Sequence, residues 1–356
     1  MKPLIVFTGG HHNAALEVAK ILQKENFRVI WIGHKFTAKG EKSLSAEYQE
    51  VTANGLKFLE LKTGKFYHKF DPLEWLKIIF GFFQAFYYLL TYRPSLIFSS
   101  GGYLAVPVVI VGWLLRIPSI THEQTVVAGW ANKAIAPFVQ KILLTHTSSL
   151  PNFPQKKSEV VGLPIRKELL DPKYSQKYNP PLIYITCGKQ GSHIINQALF
   201  PIIPKLVQNF TIAHQTGSST LTKDLDRARR IKDKLGQYKD RYLYAPYFFA
   251  EDAATYIRSS ALVVSRSGAH IVYELMVLKK KAVLIPISWV SHNEQYLNAK
   301  LANEQIGSLI LEEKDLSPDN LYQAITDLIK KKPVQPTVKL VTDAAEKIAQ
   351  IIRQSV

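Results

Sequence analysis

The chain is 356 residues long, room for about two domains, and its 47% hydrophobic and 21% charged residues exclude wholesale disorder. Lys and Arg outnumber Asp and Glu by 45 to 28, a formal net charge of +17, so the expected partners are anionic: phosphates, nucleic acid or acidic lipid headgroups. The single cysteine, Cys187, excludes an internal disulfide and agrees with a reducing compartment.

Met1-Lys2-Pro3 leads straight into an apolar run at residues 4–7, which leaves no room for a signal peptide. No run reaches the ~18 uninterrupted apolar residues of a spanning helix, so neither secretion nor membrane spanning is expected. Strand-like runs continue at residues 29–32, 96–99, 119–121 and 142–145. Helix patterns separate them, as at residues 14–23, where Leu16, Ala19 and Leu22 recur at helical spacing. A polar stretch rich in Pro and Lys, residues 150–181, reads as a hinge. The alternation then restarts with strands at 182–186, 210–214, 242–244, 262–265 and 282–286, and ends in a helix at 344–352. This pattern predicts two doubly wound parallel α/β domains with a cleft between them.

Open parallel sheets bind ligands beyond the carboxyl ends of their strands, where glycine turns lead into helices. Four such turns are present: Thr8-Gly9-Gly10-His11-His12, Ser100-Gly101-Gly102-Tyr103, Cys187-Gly188-Lys189-Gln190-Gly191-Ser192 and Arg266-Ser267-Gly268-Ala269-His270. Singly, each is equally well explained as a glycine that only permits positive φ. Together, distributed over both halves, they point to a phosphate-bearing ligand. None is a P-loop or a complete dinucleotide fingerprint, which counts against an ATPase or a simple dehydrogenase. A diphosphate held by main-chain amides suits a nucleotide-sugar donor.

These turns, with His122-Glu123-Gln124, Gly162-Leu163-Pro164-Ile165-Arg166, Glu274, Gln295 and Asn298-Ala299, resemble in order and spacing the MurG glycosyltransferases of family 28. The likeness runs from Thr8 to beyond Ala299. It implies the GT-B fold: two Rossmann-like domains, residues 1–164 plus 339–356 for acceptor and membrane, and 165–338 for the UDP-sugar. The implied reaction is inverting transfer of GlcNAc from UDP-GlcNAc to the MurNAc 4-hydroxyl of lipid I, giving lipid II at the cytoplasmic face of the plasma membrane. His11 and Glu123 are the implied catalytic residues. The residues themselves leave His11 open between general base and simple diphosphate contact. The resemblance assigns the donor to Thr8, Gly9, Gly10, Thr125, Arg166, Lys189, Gln190, Gly191, Phe249, Ala269, His270, Ile271, Glu274, Gln295 and Asn298. Within that set Glu274 would accept the ribose hydroxyls, Arg166 would add charge-assisted hydrogen bonds, Phe249 lies near the uracil position and Gln295 near a sugar hydroxyl. The acceptor falls to Gly101, Gly102, Tyr103, His122 and Gln124. The chain departs from the family pattern at Thr125, where Asn is usual, and at Lys189, where Ser is usual. It also lacks the usual Pro after the first glycine turn and the longer Gly-rich run before His11.

No cofactor or metal is expected. The one Asp-x-Asp, Asp224-Leu225-Asp226, sits in a charged helical run and reads as a solvated face. No His or Cys cluster has zinc spacing, and Cys187 reads as a small packed residue.

Residues 75–90 are apolar nearly all round. Trp75, Ile78, Ile79, Phe82, Phe86 and Leu89 form a stripe suited to packing on a sheet, while Leu76, Phe80, Phe83 and Tyr87 stand on other faces. Lys57, Lys62, Lys65 and Lys69 lie just upstream among Phe66, Tyr67 and Phe70. This combination fits either a helix buried within its domain or a surface for an anionic membrane, carried chiefly by Lys62, Lys65, Lys69, Trp75, Ile79, Phe80 and Phe83. Three rival readings stand beside the main one. One is a lipid-directed transferase of the same architecture with another sugar or acceptor. Another is a non-hydrolysing UDP-GlcNAc epimerase, which would need a different acid/base set. The third is a non-catalytic basic protein that binds membrane or nucleic acid; no nucleic-acid motif is present, so nucleic acid is not an expected partner.

Overall fold

The structure is a computed structural model and describes residues 2–10, 12–36, 44–64, 72–186, 191–288, 293–332, 334–338 and 340–356. The chain divides into two units, Met1–Ile165 with Val341–Val356, and Arg166–Leu340.

The first unit is built on seven strands: β1 (Leu4–Thr8), β2 (Arg28–Gly33), β3 (Lys57–Glu60), β4 (Leu96–Ser99), β5 (Ser119–Glu123), β6 (Lys141–Leu144) and β7 (Ser158–Val160). They are all parallel, in the order β3-β2-β1-β4-β5-β6-β7. Every residue of β1, β4 and β5 is buried, as expected for strands covered on both faces. The connecting helices are α1 (His12–Lys24), α2 (Ala46–Ala53), α3 (Pro72–Tyr92), α4 (Ala105–Leu114) and α5 (Trp130–Ile135). The C-terminal helix, Ala344–Gln354, packs on α1, and its Ile348 and Ile352 join Leu16, Leu22 and Phe7 in one core.

The second unit opens with the short α6 (Lys167–Leu170) and then repeats the scheme with six strands: β8 (Leu182–Thr186), β9 (Thr211–Gln215), β10 (Tyr242–Ala245), β11 (Leu262–Ser265), β12 (Ala282–Leu284) and β13 (Leu309–Ile310). Their order is β10-β9-β8-β11-β12-β13, again all parallel. The helices are α7 (His193–Leu199), α8 (Ile203–Leu206), α9 (Asp224–Asp233), α10 (Ala250–Ser259), α11 (Ala269–Val277), α12 (Glu294–Ile306) and α13 (Pro318–Lys330), so the C-terminal helix is α14.

The stretch 150–181 is not a single hinge. It supplies the edge strand β7 to the first sheet, and beyond Arg166 it packs through α6 against α10 of the second unit. Its Pro and Lys content masked a three-residue strand too short to show an alternating pattern.

Among the described residues, α3 is the one helix long and apolar enough, by length and composition, to cross a membrane. Glu74, Lys77 and Gln84 interrupt its apolar run, so the uninterrupted stretch looked for in the sequence does not occur there. The packed stripe matches the expected one only in part. Leu89 is buried in the core and Phe82 packs against it, but small residues make the closest contact: Ala85 is buried, and a Cβ on Gly81 would lie 2.4 Å from Thr63 Oγ1. Gln84 and Tyr88 stitch the helix to β3, donating to the Glu60 carbonyl at 2.8 and 2.9 Å. Many of the large side chains are left outside. Trp75, Leu76, Ile79, Phe80, Phe83, Phe86, Tyr87 and Leu90 are exposed, Phe83 at 70%. Trp113 and Leu114, at the end of α4, which packs on α3, are exposed as well. Lys62 is exposed beside it in sequence, whereas Lys65 and Lys69 lie outside the described residues.

Candidate functional site

In each sheet the strand order reverses once, between β1 and β4 in the first unit and between β8 and β11 in the second. Such switch points open a crevice at the carboxyl ends of the strands. Two glycine turns stand at each.

In the first unit Gly10 (φ +117°) follows β1, and Gly101 and Gly102 (both φ +76°) follow β4. A Cβ on Gly10 would lie 3.3 Å from the Gly101 carbonyl, so the two turns rest against each other. Ser100 Oγ ties them by donating to the Thr8 carbonyl at 2.7 Å, while Thr8 Oγ1 is buried with no partner among the described residues. His11 lies outside the described residues. Beneath Gly9 and Gly10 sits a group that sequence reasoning missed. Glu47 on α2 is buried, and its Oε1 accepts from Trp31 Nε1 at 2.7 Å and from the Gly10 amide at 3.3 Å. Burial pushes its carboxyl above the usual range, against those hydrogen bonds. A glutamate in a short polar helix reads as surface charge, so the sequence offered no signal for it.

At the end of β5, Glu123 accepts four hydrogen bonds. Oε1 takes the Thr125 amide (3.2 Å) and hydroxyl (2.9 Å); Oε2 takes the Gly129 amide (2.8 Å) and Asn132 Nδ2 (3.0 Å). Asn132, also missed, accepts from Thr121 Oγ1 at 2.7 Å, and a Cβ on Gly101 would meet its amide at 2.7 Å. Glu123 thereby holds the loop 125–132 and, through Asn132, backs the second glycine turn. Gln124 and Thr125 are buried in the same loop, and Tyr103 lies half-buried with its ring 5.5 Å from that of His34. His122 corrects an expectation. Rather than meeting an acceptor, it is 1% exposed and donates from Nε2 to the Gly162 carbonyl at 3.0 Å.

In the second unit Gly191 (φ +75°) leads toward α7. A Cβ there would lie 2.4 Å from the Thr216 carbonyl, so this turn is seated on Thr216-Gly217. Lys189 and Gln190, with Cys187, lie outside the described residues. His214-Gln215-Thr216-Gly217 is in effect a fifth glycine turn after a strand, overlooked because its glycine follows β9 and not a switch-point strand. Asn196 Nδ2 donates to the Thr216 carbonyl (2.8 Å) and to Asp224 Oδ2 (2.9 Å), and His214 Nε2 donates to Asn196 Oδ1 at 3.0 Å. His193 Nδ1 meets Asp224 at 2.9 Å. Asp224 is therefore a buried group that braces this turn, not the solvated face expected of the Asp-x-Asp; its charge is absorbed by His193 and Asn196.

After β11, Gly268 caps α11, whose first internal bond runs from the Val272 amide to the Gly268 carbonyl. The positive end of the helix dipole thus falls at Ala269, His270 and Ile271. Ser267 Oγ is buried there without a partner among the described residues. Arg266 joins the two turns: Nη2 donates to Ser192 Oγ at 2.9 Å and lies 2.6 Å from Glu313 Oε1, while Nη1 donates to the Ile285 carbonyl. Glu274, one turn along α11, is gripped by Arg166, with Nε to Oε1 at 3.1 Å and Nη2 to Oε2 at 2.9 Å. Asn298 is buried and donates to the Ser267 carbonyl at 3.1 Å, and Gln295 Oε1 accepts from the Ile287 amide at 3.1 Å. Phe249 stands apart at the start of α10, exposed, with its ring 5.3 Å from Tyr247. Among the described residues no group of three or more His, Cys, Asp or Glu is placed to hold a metal ion.

Two buried imidazoles, His122 and His214, and the half-buried His146 give the fold a pH signature. Burial holds His122 and His146 down to about 4 and His214 to about 3, from an ordinary 6.5. Below pH 6.5 the unfolded chain therefore binds more protons than the folded one, and stability is lost as pH falls toward those values. At pH 5 each histidine should cost about 2 kcal/mol. Urea midpoints at pH 7 and pH 5 measure this; a flat profile would contradict the buried, neutral placement.

Comparison with known proteins agrees with the geometry. The glycosyltransferase family 28 N-terminal domain matches residues 5–144, and the family 28 C-terminal domain matches residues 182–354. A UDP-N-acetylglucosamine–N-acetylmuramyl-(pentapeptide) pyrophosphoryl-undecaprenol N-acetylglucosamine transferase of Clostridium botulinum (strain Kyoto / Type A2) is 30% identical over 339 residues, covering 92% of this chain and 90% of its own. The protein of the same name from Legionella pneumophila (strain Paris) is 30% identical over 371 residues, covering 99% and 97%. The crystal structure of Acinetobacter baumannii MurG superposes with a TM-score of 0.68 at 22% identity, covering 99% of this chain and all of that one, a likeness of fold. With paired switch-point turns on two parallel sheets, and both family domains matched in order, the chain is a GT-B glycosyltransferase that belongs to glycosyltransferase family 28.

Proposed function

We propose that this enzyme transfers N-acetylglucosamine from UDP-GlcNAc to lipid I, the polyprenyl-linked precursor of peptidoglycan, to give lipid II. Its full-length relatives carry this activity in their names. The observation that supports it most directly is the β8/β11 crevice. There a buried carboxylate, Glu274, stands one turn behind the N-terminus of α11, the spacing of a ribose ligand behind a diphosphate site.

In the proposed chemistry the MurNAc 4-hydroxyl attacks the anomeric carbon from the face opposite UDP. The new carbon–oxygen bond forms as the bond to the β-phosphate oxygen breaks, and His11 takes the hydroxyl proton. UDP leaves carrying the bonding pair, and the α11 dipole with the main-chain amides of the Gly191 turn stabilises that charge. Thr8, Gly9 and Gly10 would line the donor's sugar end, Gly101, Gly102, Tyr103 and Gln124 the acceptor, and Glu123 acts by positioning their loop. The same reading needs no metal, and Asp224, already engaged by His193 and Asn196, supports it. The enzyme would work as a peripheral protein on the cytoplasmic face of the plasma membrane, with the outer face of α3 and Trp113 in the interface and Lys62, Lys65 and Lys69 near acidic headgroups.

A transfer assay with a short-chain lipid I analogue should give product from UDP-GlcNAc and none from UDP-GalNAc or UDP-glucose; transfer to diacylglycerol instead would overturn the acceptor. His11→Ala should lower turnover by about a hundredfold or more, with UDP affinity nearly unchanged. Equal losses in both would reduce His11 to a diphosphate contact. In sedimentation, the protein should pellet with phosphatidylglycerol vesicles and come off in high salt, and Phe80→Asp with Phe83→Asp should abolish pelleting. Equal binding to phosphatidylcholine vesicles would remove the electrostatic component.

A further inference from the structure

Arg166 and Glu274 lie 108 residues apart in sequence, yet the guanidinium spans the carboxylate with one donor to each oxygen. One of the two paired-donor edges of the arginine, Nε with Nη2, is therefore already committed to protein. Its root is fixed as well. Arg166 caps α6, the Leu169 amide returns to its carbonyl at 3.1 Å, and Leu169 is fully buried. Glu274 is 4% exposed, so its charge needs compensation, and among the described residues the arginine is its side-chain partner.

We propose that Arg166 is a positioning residue for the ribose of the donor and not a ligand of its diphosphate. An ionised carboxylate offers about two acceptor directions on each oxygen. The arginine fork takes one on each and leaves one on each, two acceptors for the two hydroxyls of a ribose diol. It also fixes the plane of the carboxylate, which a point charge cannot do. This inference rests on the reading above that Glu274 receives the ribose.

Calorimetry on the full chain with UDP and 2′,3′-dideoxy-UDP separates the roles. The wild type should prefer UDP by about tenfold or more, the worth of hydrogen bonds to a charged acceptor. Arg166→Gln should weaken UDP by about tenfold and leave 2′,3′-dideoxy-UDP within about twofold, erasing most of the preference. Arg166→Lys keeps the charge and guards against misfolding, checked by its melting curve; it should show the same selective loss because it lacks the fork. Equal weakening of both nucleotides in Arg166→Gln, with UDP binding kept in Arg166→Lys, would mean a phosphate contact and overturn the proposal. Tighter UDP binding in either variant would make the pair a latch and overturn it too. A wild type that binds both nucleotides alike would instead remove the ribose role of Glu274, and with it the premise.

Discussion

Everything in this molecule turns on how closely main chain approaches main chain at the carboxyl ends of the central strands. Gly10 lies against the Gly101 carbonyl at a distance tight for any side chain, and Gly191 against Thr216 and Gly217 at one a side chain would not allow. Positive φ at these glycines turns the chain at the carboxyl end of a central strand in each domain. The same device appears in both domains because both are open sheets with a single reversal of strand order. Other residues decide which ligand is held; glycine decides that there is a place to hold it.

The buried ionisable groups serve this geometry. Glu47 underlies the first turn, Glu123 with Asn132 the second, and Asp224 with Asn196 the seat of the third. Glu47 and Glu123 bond loop amides directly, while Asp224 reaches its loop through Asn196, whose amide donates to the Thr216 carbonyl. Buried polar groups cost stability unless they are hydrogen-bonded, and for these carboxylates that requirement is turned into positional accuracy. His122 and His214 behave alike: neutral, hydrogen-bonded, and part of the frame.

Much of this was legible in the amino-acid sequence. The central strands are β-branched and apolar, so burial on both faces left a strong pattern, and the glycine turns follow them directly. Among the edges β10 was legible, but β7 and β13 were not, because they span three and two residues and are ordered by neighbours more than by their own composition. Roles at the site were harder still. Sequence shows that His122, Glu123 and Asp224 bear reactive groups, but not whether those groups face a ligand or the interior. Partners far along the chain decide that, as Gly162 does for His122 and Trp31 for Glu47. The apolar helix α3 was legible only in part: Phe82 and Leu89 pack as their spacing suggested, but Trp75, Ile79 and Phe86 do not, and Gly81 and Ala85 make the close contact because small residues allow close docking.

The fit of Gly81 on Thr63 has a mechanical meaning. A helix keyed to its sheet by a backbone-close contact, and laced to Glu60 by two side chains, has no freedom to roll about its axis. Its aromatic ridge is a rigid keel, not a tether. Any surface that met this ridge would be met at one attitude, set by the domain that carries it.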